Sequence, residues 1–206
     1  MASPAHYTGR QRKARHHLLQ LRDFQTQWDE LCYDGLTLAT AVVNSRIEAT
    51  YADLPTHWPP ALLVFPNLRD KYRTAVLRRV YQHAQALDHI LNGLASLLHG
   101  LQRSLTALED LVNTNRSAPP CTGSDADTAL PWFCVATPAD LYARATELVD
   151  MYREDYAARQ SLLADMLAVE SRPVGVTLLS AWLNSLAIQP HRRAEFNEII
   201  RLELRE

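Results

Sequence analysis

The 206-residue chain carries 6 Gly, 11 Pro and 3 Cys, is 47% hydrophobic and 21% charged, and has a formal net charge of −2. Its length describes one or at most two domains with a sizeable core, and its near-neutral charge excludes a wholly nucleic-acid-coating protein. Glycine, at about 3% against a usual ~7%, leaves little for tight βα turns or phosphate-cradling loops, which sets most nucleotide-binding enzyme classes aside in favour of an all-α fold.

At the start, residues 1–9 read as a disordered N-terminus. The first 20 residues hold Arg10, Arg12, Lys13 and Arg15 but no apolar run, so no secretory signal is expected. No stretch approaches the ~20 apolar residues of a membrane span. An arm over residues 10–22 has five basic residues and no acid; it reads either as a localisation or phosphate-contacting segment or as a solvated helix start. Cys32, Cys121 and Cys134 form an odd set without CxxC spacing, as expected of free thiols in a reducing, intracellular compartment.

Helical periodicity then predicts helices at about 10–48, 67–115, 138–170, 174–187 and 191–205, with no strands. The first carries an apolar row at Leu21, Phe24, Trp28, Leu31, Gly35, Leu38 and Val42. Pro55, Pro59, Pro60 and Pro66 separate it from the second. There Leu77, Val80, Ala84, Leu87, Leu91, Leu94, Leu98, Leu101, Leu105, Leu108 and Val112 follow the alternating steps of a coiled-coil seam. Ile90, Leu97 and Leu111 widen that stripe toward a second neighbour, and Gly93 and Gly100 permit close helix approach. Residues 116–131, rich in Ser, Pro, Gly and Asp, read as a flexible loop.

Thr137, Pro138 and Asp140 supply the hydroxyl cap, first-turn proline and acid of a helix start. In the helix that follows, Tyr142, Val149, Tyr156 and Leu163 recur every seven residues, with Ala145, Tyr152 and Met166 between them. Pro173, Gly175 and Pro190 divide the remainder into two short helices. A helix over 67–115 would be about 73 Å long, against roughly 43 Å across a compact globule of this size. The expected architecture is therefore a single elongated domain over 1–206, an antiparallel bundle of three long helices and two short ones, with part of its apolar stripe exposed.

Reactive chemistry is sparse. HExxH, GxxxxGK[ST], GxGxxG and GxSxG are absent. His83, His89 and His99 share a helix but their spacings place them on different faces. The acid pairs Asp29–Glu30 and Glu154–Asp155 read as solvated faces. A helical-bundle enzyme would have to rely on Cys32 with a basic partner or on a histidine pair. The expectation is no catalytic residue, no cofactor and no metal.

Two segments are more particular than a generic bundle requires. One is Trp28-Asp29-Glu30-Leu31-Cys32-Tyr33-Asp34-Gly35-Leu36-Thr37-Leu38-Ala39. The other runs from Pro131-Trp132-Phe133 through Thr137-Pro138 and Met151-Tyr152-Arg153 to Leu178-Leu179-Ser180-Ala181-Trp182-Leu183. In order and spacing they resemble the cyclin-dependent kinase 2-interacting protein (CINP) family, over residues 15–45 and 131–186. The middle stretch Ala61-Leu62-Leu63-Val64-Phe65-Pro66-Asn67-Leu68 is as similar to AIRIM, a sibling helical subunit, and 187–206 match neither.

The resemblance implies a non-catalytic adaptor of a chromatin-associated AAA ATPase assembly. It implies as partners an AIRIM-like helical subunit, type II AAA ATPases, cell-cycle kinases and the ATR-interacting protein. It further implies roles in DNA replication, replisome protein turnover, checkpoint signalling and ribosome maturation, in the nucleus and also the cytoplasm. An AIRIM-type ribosome maturation factor and a nucleic-acid-binding module using the arm 10–22 remain alternatives. Trp28, Leu31, Met151, Tyr152, Arg153 and Trp182 are the candidate partner-binding residues. The three large aromatics among them suit interface anchors or core, and Arg153 suits a cross-interface acid or a contact with its neighbours Asp150 and Glu154.

Overall fold

A computed structural model of the chain describes residues 8–65, 67–116, 133 and 136–204. Among the described residues the regular structure is helical throughout: α1 (Gly9–Asp53), α2 (Pro60–Leu63), α3 (Leu68–Arg116), α4 (Pro138–Ala168), α5 (Arg172–Asn184) and α6 (Pro190–Leu204). The all-α expectation is met. Of the N-terminus expected to be disordered, residues 1–7 lie outside the described set, but Thr8 and Gly9 begin α1 in order. Thr8 donates its backbone N–H to Gln11 Oε1 (2.7 Å), and Gln11 returns its own to Thr8 Oγ1 (3.3 Å), a reciprocal cap. The loop expected over 116–131 lies outside the described residues apart from Arg116, the last residue of α3.

The helix ends follow local chemistry. α1 continues five residues beyond the expected 48 and stops where Leu54, ahead of Pro55, turns extended. The proline-rich stretch then winds into a 3₁₀ turn, Pro55–His57, and the one-turn α2, each with proline in its first turn. The start of α4 is as expected. Thr137 Oγ1 accepts the Asp140 backbone N–H (3.2 Å), while Asp140 Oδ2 accepts the Thr137 hydroxyl (2.7 Å) and backbone N–H (3.3 Å). α5 ends at Asn184, short of the expected 187, because Ser185 adopts a left-handed conformation (φ 42°).

The chain clusters into two compact units that interleave along the sequence. The first takes residues up to Gln27, Ser96–Glu154 and Ile188 onward; the second takes Trp28–Ala95 and Asp155–Ala187. In the first, Leu18, Leu21, Leu101, Leu108, Leu141, Leu148, Phe196 and Ile200 form the core. Gly100 on α3 lies so close to α1 that a Cβ there would stand 2.6 Å from Phe24 Cζ. The buried Gln25 is held by α6: its Oε1 accepts from Arg193 Nε and Asn197 Nδ2 (3.1 Å each), and its Nε2 donates to Asn197 Oδ1 (3.1 Å).

In the second unit Trp28, Val42, Val43, Leu87, Leu91, Leu94, Met166, Val169 and Trp182 are buried. Gly35 of α1 is the point where three helices meet: a Cβ there would stand 2.6 Å from Trp182 Cζ2 on α5 and 3.3 Å from Ile90 Cγ2 on α3. The coiled-coil row of α3 is buried at Val80, Leu87, Leu91, Leu94, Leu98, Leu101, Leu108 and Val112, but its first member, Leu77, is exposed. In α4 the buried row is Leu141, Ala145, Leu148, Val149, Tyr152, Asp155, Arg159 and Met166, and the expected Tyr142, Tyr156 and Leu163 lie half-buried beside it. No helix among the described residues is long and apolar enough to cross a membrane.

The Gly35 contact gives a direct test. Alanine gains about 1 kcal/mol of helix propensity over glycine, yet its methyl would overlap the buried Trp182 ring, and overpacking costs about 1–3 kcal/mol. Gly35→Ala is expected to lower stability to urea by about 1–2 kcal/mol. Gly93→Ala, whose nearest neighbour is the tip of the half-buried Leu31 side chain at 3.1 Å, is expected to be neutral or stabilising. Equal stability of the two variants would contradict the packing described.

Candidate interaction surface

The second unit is organised around a buried polar cluster. Asp155 and Arg159, one turn apart on α4, form an ion pair with Arg159 Nε 2.7 Å from Asp155 Oδ2, both side chains almost wholly enclosed. The same carboxylate oxygen accepts the Trp28 indole N–H from α1 (3.0 Å). Arg159 donates to the Trp182 carbonyl (Nη1, 3.2 Å) and to Ser185 Oγ (Nη2, 2.5 Å) at the end of α5. Its guanidinium carbon lies 4.7 Å from the centroid of the Trp182 ring. The Trp182 indole N–H donates to the Cys32 carbonyl of α1 (3.0 Å).

This cluster corrects the reading of Asp155 as part of a solvated acid pair: it is 1% exposed. Paired acids on helices are usually solvated, which is why Glu154–Asp155 reads that way. The informative signal is register. Asp155 and Arg159 fall three and seven residues after Tyr152, inside the apolar row, in the acid-then-base order that favours an i,i+4 pair.

The six candidate partner residues differ in exposure. Trp28, Tyr152 and Trp182 are core residues, at most 1% exposed, so in this fold they hold the chain together and do not present anchors to a partner. Leu31 is half-buried against Gly93. Met151 is half-buried, its sulfur 3.5 Å from the Gln189 backbone N–H. Arg153 is exposed and pairs within its own helix with Asp150 (2.5 Å).

Exposed apolar side chains are distributed very unevenly. Among the described residues, every large exposed hydrophobic except Leu202 belongs to the second unit. Apart from Tyr33, Tyr51, Leu54 and Tyr72, they fall in three stretches. Leu62, Leu63, Val64 and Phe65 are exposed in and just after α2. Val174, Val176, Leu183 and Leu186 project from α5 and its end. The third lines a groove of about 570 Å³ between α3 and α4, walled by Leu77, Tyr81 and Ala84 on one side and Leu163 and Leu167 on the other.

Polar groups at that groove are modestly engaged: Gln85 Nε2 donates to the Tyr81 hydroxyl (2.9 Å), and Asn92 Nδ2 to Asp88 Oδ2 (3.2 Å). Its dimensions and apolar walls suit the apolar face of an amphipathic helix. The described residues include no group of three or more His, Cys, Asp or Glu side chains placed to hold a metal ion. On the basic arm Arg10, Arg12, Lys13 and His16 are exposed along the start of α1.

No protein-family model matches the chain. Over 175 residues, 84% of this chain and 78% of the relative, it is 21% identical to cyclin-dependent kinase 2-interacting protein of Xenopus laevis. That alignment is longer than the two motif-bearing segments, 15–45 and 131–186, together.

The buried ion pair is testable by substitution. Arg159→Met leaves the Asp155 carboxylate buried without its cation, for which a loss of about 3–5 kcal/mol is expected in urea unfolding. Asp155→Asn combined with Arg159→Met removes both charges and should recover a large part of that loss. An Arg159→Met variant within about 1 kcal/mol of the parent would refute the assignment.

Proposed function

We propose that this chain is a non-catalytic adaptor whose work is to bind other proteins through the apolar surface of its second unit. The observation that carries this reading is the concentration there of exposed large hydrophobics, together with an apolar groove between α3 and α4, since extensive exposed apolar surface marks a partner site more often than it serves stability. The relative found by sequence comparison is named for its interaction with cyclin-dependent kinase 2, and a cell-cycle kinase is accordingly the first partner proposed for this chain.

The finer proposal follows the motif resemblance. The adaptor would belong to a chromatin-associated assembly with type II AAA ATPases and an AIRIM-like helical subunit, acting in replisome protein turnover, checkpoint signalling with the ATR-interacting protein, and ribosome maturation. It would work in the nucleus and also in the cytoplasm. An AIRIM-type maturation factor is a second reading, supported by the segment 61–68, whose exposed Leu62 to Phe65 form one of the three apolar stretches.

Affinity purification from dividing cells with quantitative mass spectrometry tests the reading. The parent chain is expected to recover a helical partner and a cell-cycle kinase. Leu77→Asp with Leu167→Asp, at exposed positions where stability should change by about 0.5 kcal/mol or less, is expected to reduce at least one of them tenfold or more. Recovery of neither by the parent chain, or undiminished recovery by the variant, would count against the proposal.

A further inference from the structure

Where α1 connects to α3, within the second unit, lies an open pocket of about 480 Å³. Four rings line it: Tyr51 at the end of α1, His57 and Trp58 from the 3₁₀ turn, and Tyr72 in the first turns of α3. The Tyr51 and His57 rings stack at 5.0 Å, and Trp58 and Tyr72 meet at 88° with centroids 5.5 Å apart, so the walls are fixed by ring-to-ring contacts. The Trp58 indole N–H is held by the Ala52 carbonyl (3.0 Å).

Glu48 is the only charged side chain in the lining. Its Oε1 accepts both the Tyr72 hydroxyl and Arg79 Nη2 (2.7 Å), while no hydrogen bond to Oε2 is made among the described residues. The Tyr72 hydroxyl bond, reinforced by Arg79, holds the Glu48 carboxyl below the usual carboxylate range despite some desolvation, so the group is ionised at neutral pH. Arg73, the residue after Tyr72, pairs with Asp53 (3.0 Å), and none of the neighbouring α3 cations, Arg69, Lys71 and Arg78, is in the lining. Aromatic faces favour a cation with a weakly hydrated head and an apolar body, and Glu48, although ion-paired with Arg79 through Oε1, keeps Oε2 open to one at the pocket's edge.

We propose that this pocket binds an alkylammonium group, the side chain of a di- or trimethylated lysine presented by a partner polypeptide, with Tyr51, Trp58 and Tyr72 around the cation and Glu48 Oε2 at its edge. A primary ammonium brings three hydrogen-bond donors that ring walls leave largely unanswered, whereas methylation removes that demand and keeps the charge. The polypeptide source follows from the adjoining surface: Leu62 lines the pocket and continues into exposed Leu63, Val64 and Phe65, an apolar strip suited to residues flanking the lysine. The site is a property of this chain alone and goes beyond the adaptor reading.

The test is a titration of the full chain followed by the Trp58 indole N–H signal. Four probes are used: a leucine-flanked trimethyllysine peptide, the same peptide with unmodified lysine, its neutral isostere with a tert-butyl carbon in place of the charged nitrogen, and choline chloride. The trimethyllysine peptide is expected to saturate and to bind at least about fivefold more tightly than the isostere, the lysine peptide and choline. Tyr51→Ala, at an exposed position, and Glu48→Gln are each expected to weaken it about three- to tenfold with thermal unfolding little changed. No saturable binding, equal binding of the isostere, or unaltered affinity in both variants would overturn the proposal, and choline matching the peptide would overturn the polypeptide source. None of these outcomes depends on capturing a partner from cells, so failure here is separable from failure of the adaptor reading.

Discussion

Much of the second unit depends on one enclosed ion pair. Asp155 and Arg159 contact α1 through the Trp28 indole and α5 through the Trp182 carbonyl, the Trp182 ring and Ser185. Enclosing two charges is expensive unless their remaining hydrogen-bonding positions are satisfied. That demand ties the carboxylate to one particular indole and the guanidinium to one particular helix end, which fixes register in a way apolar packing alone does not. The rotation of α5 follows. Gly175 and Trp182, two turns apart, are buried, so Val174, Val176 and Leu183 are turned outward. The outward exposure of these α5 side chains is thus a consequence of the same interaction that closes the core.

Legibility in the sequence tracks how local each cause is. The long helices, the Thr137–Asp140 cap and the buried row of α3 all arise from residues within a few positions of one another, and they read directly. Gly35 and Gly100 fall inside apolar rows where no turn needs them, and that placement by itself points to close helix approach. The failures are long-range. Whether Trp28 and Trp182 face a partner or a core depends on Asp155 and Arg159, which are 127 and 23 residues away respectively in the contacts they make. Nothing in the local composition of a helix distinguishes a solvated acid from one that receives an indole across the unit. The aromatic pocket is similarly hidden, because the proline-rich stretch reads as punctuation when it in fact forms two short helical turns that place His57 and Trp58 beside Tyr51 and Tyr72.

The moved boundary between core and surface also changes how the family-like motifs are understood. Trp28, Tyr152 and Trp182 suit interface anchors by residue type, yet in this fold they are buried among the chain's own helices. Motifs of this kind report the need to keep a fold, while the groove beside Leu77, Tyr81, Leu163 and Leu167 is built from side chains that carry no motif at all.

The central claim is that partners meet the second unit through its apolar surface while its buried cluster stays intact. Hydrogen exchange of the chain, free and in the complex recovered from dividing cells, addresses this most directly. The account predicts added protection over 60–65, 77–85, 163–167 and 174–186, with the amides around Trp28 and Arg159 already slow in the free chain. Added protection confined to residues 9–27 and 190–204, with those stretches unchanged, would contradict it.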